Sequence, residues 1–250
     1  MANVYRIREG SIQDKFFRSR NKIIIYAGGF GNGKTSAVCV RTLEIAKDYP
    51  GANILMARAT YPKLNDTLRK EMMKWCPKAW IKKEPTADNN NLVLQNGTVI
   101  NFRYVAQQGK KNEQSTSNLL SANYDFIVVD QVEDPEISHK DFLDLVGRLR
   151  GSTPYRGDDS TMPRTGPRMM LLTANPSRNW VYRKLVRPLE LFRKAKIRHS
   201  DLYVDEAGNP IIDLFEGSTL DNADNLPADF ISTLKSTYKG QQYDRFVLGK

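Results

Sequence analysis

Cysteine is nearly absent from this chain: Cys39 and Cys76 are the only two in 250 residues. Two cysteines without metal-site spacing exclude a disulfide framework and a thiolate zinc site, and read as small core residues. No apolar run approaches the roughly 20 residues of a membrane span. The opening stretch MANVYRIREG lacks the apolar middle of a signal peptide, so a cytoplasmic protein with no membrane partner is expected. Internal repeats and low-complexity tails are missing too. Acidic residues are in short supply, 28 against 38 Lys and Arg, for a formal net charge of +10. Such a balance suits a polyanion, most often nucleic acid, although charge alone also serves solubility. The remaining composition, 40% hydrophobic and 26% charged, is that of an ordinary globular protein with one large domain or two small ones.

Short β-rich runs alternate with helical patterns. KIIIYAG (22–28), ANILMAR (52–58), FIVVD (126–130) and RMMLLTANP (168–176) read as buried strands. TSAVCVRTLEIAKDY, KLNDTLRKEMMKW and SHKDFLDLVGRLR read as helices, the last with Ser138 as N-cap. Buried strands interleaved with helices predict an α/β fold: a mostly parallel central sheet with helices on both faces. NLVLQNGTVINFRYV reads as a β-hairpin on an edge or as an insertion, with Asn96-Gly97 suited to a type I′ turn. The polar stretch 150–168, rich in Gly, Pro, Ser and Thr, reads as a long loop, mobile or ordered by a ligand.

GGFGNGKT (28–35) matches G-x-x-x-x-G-K-[ST] between a strand and a helix, which is the P-loop context. Glycines let backbone N–H groups face phosphates, and the helix N-terminus adds positive potential. Lys34 reaches the β- and γ-phosphates, and the Thr35 hydroxyl ligates Mg²⁺. Gly28, Gly29, Gly31, Asn32, Gly33 and Ser36 complete the expected nucleotide cradle. The predicted cofactors are ATP and Mg²⁺, and the predicted class is a P-loop NTPase of the ASCE type. Such a site needs a carboxylate on a neighbouring strand for the magnesium shell, through water, and Asp130 at the end of FIVVD supplies it. Thr173 and Asn175 in LLTANP stand where a strand end can aim them at a γ-phosphate; an Asn-Pro turn explains them equally well.

The position after Asp130 lacks the glutamate that usually activates water; it is Gln131. Glutamine cannot take a proton but can hold water, and GTPases use one to orient it. Glu133 becomes the base if the chain bends after Asp130. A native glutamine and an introduced Glu→Gln change both fit the sequence.

P-loop, FIVVD and TANP together resemble the large terminase subunit of tailed bacteriophages, in its N-terminal ATPase domain, over nearly the whole chain. SIQDKFFRSRNKIIIYAGGFGNGKT resembles the family's opening, whose upstream glutamine contacts adenine; that implies Gln13. ILMARATYPKLNDTL resembles the segment after the first helix. TANP resembles the coupling motif, and GSTLDNADNLPADFISTLKSTYKGQQYDRFVLGK the stretch before a nuclease domain. The resemblance implies an ATPase core over 1–195, and a small lid or linker over 196–250 leading to a nuclease domain absent from this chain. It also implies a motor that moves double-stranded DNA into a procapsid in the host cytoplasm. Its partners would be DNA, portal protein and small terminase subunit, in a homo-oligomeric ring on the portal and a monomer when isolated. Two family arginines are missing, one at the P-loop and one before the magnesium strand, where STSNLLSANYD has none. Arg148 and Arg150 are the nearest replacements for an arginine acting across a subunit boundary, although a solvated helix end explains them as well.

Other functions compete. A helicase-like or repair ATPase needs a second motor domain with its own motif series. A DNA- or protein-binding module with impaired hydrolysis draws on Gln131. For phosphate-backbone contact to DNA, the basic loop residues Lys110, Lys111, Arg156 and Arg164 are candidates.

Overall fold

In the computed structural model of the chain, residues 4–105 and 122–249 are described. Apolar runs become strands where both faces are covered. β1 (Ile23–Gly28), β6 (Phe126–Val129) and β7 (Met169–Ala174) are buried along their whole length. β2 (Asn53–Arg58) is buried at all but its first residue. β3 (Ile81–Lys83), β4 (Asn91–Leu94) and β5 (Val99–Tyr104) extend the sheet on one side and β8 (Ile212–Gly217) on the other. The strand order is β3-β4-β5-β2-β6-β7-β1-β8. β1 pairs with β8, and β2 with both β5 and β6, in parallel. β3–β4 and β4–β5 are antiparallel. This is the expected mostly parallel sheet with a hairpin at its edge, extended by one strand, β3.

The hairpin turn differs from the expected type. Among the described non-glycine residues only Gln131, Arg168 and Lys196 have positive φ, so Asn96 stays out of the left-handed region that type I′ requires. Only Gly97 enters it, at φ +86°. The Gly97 amide donates to Leu94 O at 3.0 Å, giving a type I-like turn closed by a left-handed glycine. Asn96 instead donates its side-chain amide to Ala46 O at 2.7 Å, and that outside partner fixes its conformation.

The longer helices among the described residues are α1 (Ile12–Arg18), α2 (Lys34–Asp48), α3 (residues 61–75, with a π-helical stretch Leu64–Arg69), α4 (His139–Val146), α5 (Arg187–Ala195) and α6 (Ala228–Thr237). α4 begins at Ser138, as the sequence predicts. Its hydroxyl accepts from the Asp141 amide while the Asp141 carboxylate accepts from the Ser138 amide, a complete capping box.

The chain divides into two compact units. One comprises Met1–Tyr5 and Thr35–Leu171; the other comprises Arg6–Lys34 and Leu172–Lys250. Within the first, stretch 150–168 is pinned by its own protein contacts. Asp125, buried just ahead of β6, accepts from the Asn53 amide (2.9 Å), the Thr153 amide (3.0 Å) and the Thr153 hydroxyl (2.9 Å). Gly151 lies so close to this carboxylate that a Cβ would overlap it. Tyr49 donates its hydroxyl to Pro163 O at 2.6 Å, and its ring lies 5.1 Å from that of the buried Tyr155. One buried carboxylate and two tyrosines thus do the ordering that the polar composition left to a ligand.

Asp125→Ala is expected to cost about 1–3 kcal/mol, because it strips three part-buried donors of their acceptor. A urea titration checks this: the midpoint should fall with little change in slope. An unchanged midpoint would mean that solvent replaces the carboxylate.

Candidate nucleotide site

Residues Gly28 to Lys34 of the phosphate loop belong to the second unit. β1 delivers the chain to Gly28, and the loop then turns through Gly31 (φ +70°) and Gly33 (φ +84°) into α2. A Cβ on Gly29 would stand 2.6 Å from Phe246 O and 2.8 Å from Thr219 Oγ1. The glycine at that position is therefore also demanded by packing from the C-terminal segment. Lys34 is buried, and its ammonium donates to Gly28 O (2.9 Å), Gly29 O (2.8 Å) and Asn32 Oδ1 (3.1 Å). Asn32 is buried too and donates to Gly217 O at 3.1 Å. Gln13, on α1, brings its amide nitrogen to 3.1 Å from where a Gly33 Cβ would stand, and bonds the Tyr26 phenol. Burial pushes that phenol up to about 12, so Tyr26 stays neutral beside the loop. Gln13 and the glycine loop, 20 positions apart at Gly33, thus meet in one place.

The carboxylate end lies in the first unit. The Thr35 hydroxyl donates to Asp130 Oδ1 at 3.1 Å. Asp130, just past the end of β6, is fully buried, and its other oxygen takes Arg58 Nη1 at 2.9 Å. Arg58 closes β2 and is itself buried. It also donates to Thr67 Oγ1 at 2.6 Å, and its Nη2 donates to Gln131 Oε1 and faces Asp134 at 3.8 Å. Ser36 does not join this cluster. Its hydroxyl bonds Glu71 Oε1 at 2.5 Å, and Trp75 Nε1 reaches the same oxygen at 2.7 Å.

Gln131 sits at φ +55°. A left-handed residue with a Cβ costs on the order of 1–2 kcal/mol, and such strain concentrates at functional sites. The chain does bend after Asp130, with the Asp134 amide donating to Gln131 O at 3.1 Å. One Glu133 carboxylate oxygen is buried in this bend. Thr173 is buried at the end of β7, with Asn175 just beyond it.

Arg148 and Arg150 lie elsewhere. Arg148 O accepts from the Tyr124 amide at 2.9 Å, which places it at the start of β6, opposite the end that carries Asp130. Arg150 is exposed two residues on. Neither lies at the end of β6 that carries Asp130. Arg156 and Arg164 are exposed, and the Arg156 amide bonds Asp48 O at the far end of α2. Lys110 and Lys111 fall outside the described residues.

Sequence reasoning missed Arg58, the hub of the carboxylate end. One signal was available: a lone charge closing the apolar run NILMA. Missed as well were Thr219, Asn222 and Phe246, which hold the phosphate loop from nearly 190 positions away or more and carry no local signature.

The parallel sheet, the glycine loop between β1 and α2, and the acidic end of β6 define a P-loop domain of the ASCE type. A family model, the phage terminase large subunit, matches residues 20–246. The chain belongs to that family. Its fold is similar to that of the large terminase of a thermophilic bacteriophage in complex with ADP, at 15% identity and TM-score 0.68, over 96% of this chain and 52% of that one. It is also similar to the ATPase domain of the Thermus phage P74-26 large terminase (12%, 0.54, 97% and 94%) and to the HK97 bacteriophage large terminase (12%, 0.53, 98% and 51%). The chain spans about half the length of the first and third of these proteins. A comparison with curated proteins gives no match.

Arg58→Met is expected to destabilise the protein by about 3–5 kcal/mol, since it leaves the Asp130 charge buried without its partner. The double variant Arg58→Met/Asp130→Asn should recover most of that loss. Thermal unfolding of the three proteins side by side is the check; a double variant no more stable than Arg58→Met would mean that Arg58 acts by packing alone.

Proposed function

We propose that this chain is the ATPase motor of a phage DNA-packaging terminase, coupling ATP hydrolysis to movement of double-stranded DNA into a procapsid. The observation that carries the reading is the Thr35 hydroxyl on the Asp130 carboxylate at 3.1 Å, one peptide bond after Lys34 in a glycine loop. Family membership supports the packaging role. The ADP and ATP-γ-S complexes of the thermophilic-phage terminase support nucleotide as the ligand.

The residues divide the work. Glycine-loop amides and the α2 N-terminus bind phosphate oxygens, and Lys34 adds a positive charge. Gln13 contacts the base. Thr35 and Asp130 are hard oxygen donors, suited to Mg²⁺ held through water and substrate phosphate. Among the described residues no group of three or more His, Cys, Asp or Glu forms a protein-only metal cage. When bound, Mg²⁺ would offset charge on the β- and γ-phosphates. Gln131 orients the attacking water, and Glu133 takes its proton. Thr173 and Asn175 read the γ-phosphate. Residues 1–195 act as the core and 196–250 as a lid. Arg148 or Arg150 serves a neighbouring subunit in a ring assembled on the portal, with the small terminase subunit as a further partner. That assembly belongs in the cytoplasm of an infected bacterium. No helix among the described residues is long and apolar enough to cross a membrane. A binding module with impaired hydrolysis is the second reading, and Gln131 is what favours it.

Three outcomes are expected. Lys34→Ala should abolish nucleotide binding or turnover while the protein stays folded; unchanged affinity and turnover, measured by calorimetry and phosphate release, would remove the site assignment. With Glu133 as the base, Gln131→Glu should leave single-turnover hydrolysis unchanged and Glu133→Ala should abolish it; a gain of about 10²-fold in Gln131→Glu, the effect of a positioned base, would mean that Glu133 is idle. If neither change alters the rate, the reading of this strand end is wrong. Affinity for two unrelated duplexes should be equal, and its logarithm should fall linearly with log salt. Arg156 and Arg164 are candidate phosphate contacts, so replacing both by Ala should flatten that slope. A preference for one duplex would point to a sequence-specific binder instead.

A further inference from the structure

The second unit contains a connection that the nucleotide chemistry does not require. Phe30 occupies a position of the P-loop motif that accepts any residue, yet it is held from four sides. Its amide donates to Phe246 O at 2.7 Å, and Thr219 Oγ1 donates to Phe30 O at 2.6 Å. Its ring stacks on that of Phe246, with centroids 4.7 Å apart and planes 6° off parallel. Tyr238 packs against both rings, at 6.4 and 5.1 Å. Phe246 lies on a π-helical turn, Asp244–Leu248. The residue before it, Arg245, holds its guanidinium 4.9 Å over the Phe246 ring and donates Nε to Pro176 O at 2.6 Å. Pro176 ends the TANP stretch, which begins within β7.

The turn therefore has two attachments. One is the phosphate loop, gripped through Phe30. The other is the chain just past Thr173 and Asn175, gripped through Arg245. Close packing fixes the first attachment: a Cβ on Gly249 would stand 2.9 Å from Gly28 Cα and 3.0 Å from the Gly29 amide nitrogen, and Val247 is fully buried. The second attachment is exposed and rests on one charged donor. A rigid grip on the loop and a lighter, breakable one on TANP are what a mechanical link between two parts of a site requires.

We propose that the turn Asp244–Leu248 is a positioning clamp. Phe246 sets the shape of the phosphate loop, and Arg245 ties that shape to the TANP segment. Both act through other residues and touch no reacting atom. The clamp rests on the proposed ATPase reading only for its consequence in turnover; its effect on the loop does not depend on it.

The test uses four variants of the chain and two readouts. Hydrogen exchange of the phosphate-loop amides, without nucleotide, should quicken in Phe246→Ala by about tenfold, the value of the lost ring stacking. It should be restored in Phe246→Tyr, which keeps the stacked ring. ATP turnover in Arg245→Ala should show kcat reduced about tenfold, as for one charge-assisted hydrogen bond, with KM and melting temperature unchanged. Arg245→Lys should recover most of it. Loop exchange that Phe246→Ala leaves unchanged, or a kcat that Arg245→Ala leaves unchanged, overturns the clamp. A fall in kcat that tracks a fall in melting temperature, and that Arg245→Lys does not repair, overturns it as well. If the unaltered chain turns over no ATP, the ATPase reading fails, and the exchange experiment alone decides the clamp.

Discussion

Asp130 is the constraint on which the first unit turns. A fully buried carboxylate is tolerable only if both oxygens are engaged. Thr35 takes one and Arg58 the other. This requirement places the first turn of α2, the end of β2 and the end of β6 at one point. It also explains why Arg58 is buried with its guanidinium spread over Asp130, Thr67, Gln131 and Asp134. Removing either charge strands the other. The pair is thus less a source of stability than a device that makes one arrangement of the strand ends far better than any alternative.

Gln131 follows from the same geometry. Its positive φ turns the chain immediately after the buried carboxylate, and its side-chain oxygen meets the guanidinium that Asp130 already holds. An amide in that place keeps the contact with Arg58 without adding a second negative charge to it. The residue that stood out as anomalous in the sequence is therefore integrated in a network centred on Arg58. Its chemical competence depends on whether Glu133, in the bend that follows, takes the water proton.

Much of this was legible beforehand, for definable reasons. β1, β2, β6 and β7 were readable because strands buried on both faces must be apolar throughout. The phosphate loop was readable because close backbone approach demands glycine at fixed spacing. Ser138 as an N-cap was readable because the pattern is local. What escaped was long-range. Thr219, Asn222 and Phe246 reach the loop from the far end of the chain, and no local pattern marks them. The order of stretch 150–168 escaped because its anchor, Asp125, sits in a different segment. The hairpin turn was misjudged because Asn96 has an outside partner at Ala46 that dipeptide preference cannot reveal.

The central proposal is that Thr35 and Asp130 serve a magnesium-dependent nucleotide site. Calorimetric titration of ATP with and without Mg²⁺, in the unaltered chain and in Asp130→Asn, tests it most directly. The account predicts that Mg²⁺ tightens ATP binding in the unaltered chain and that Asp130→Asn loses most of that gain while still binding nucleotide through the loop. Equal affinity with and without Mg²⁺ in the unaltered chain, or a gain that survives Asp130→Asn intact, would contradict it.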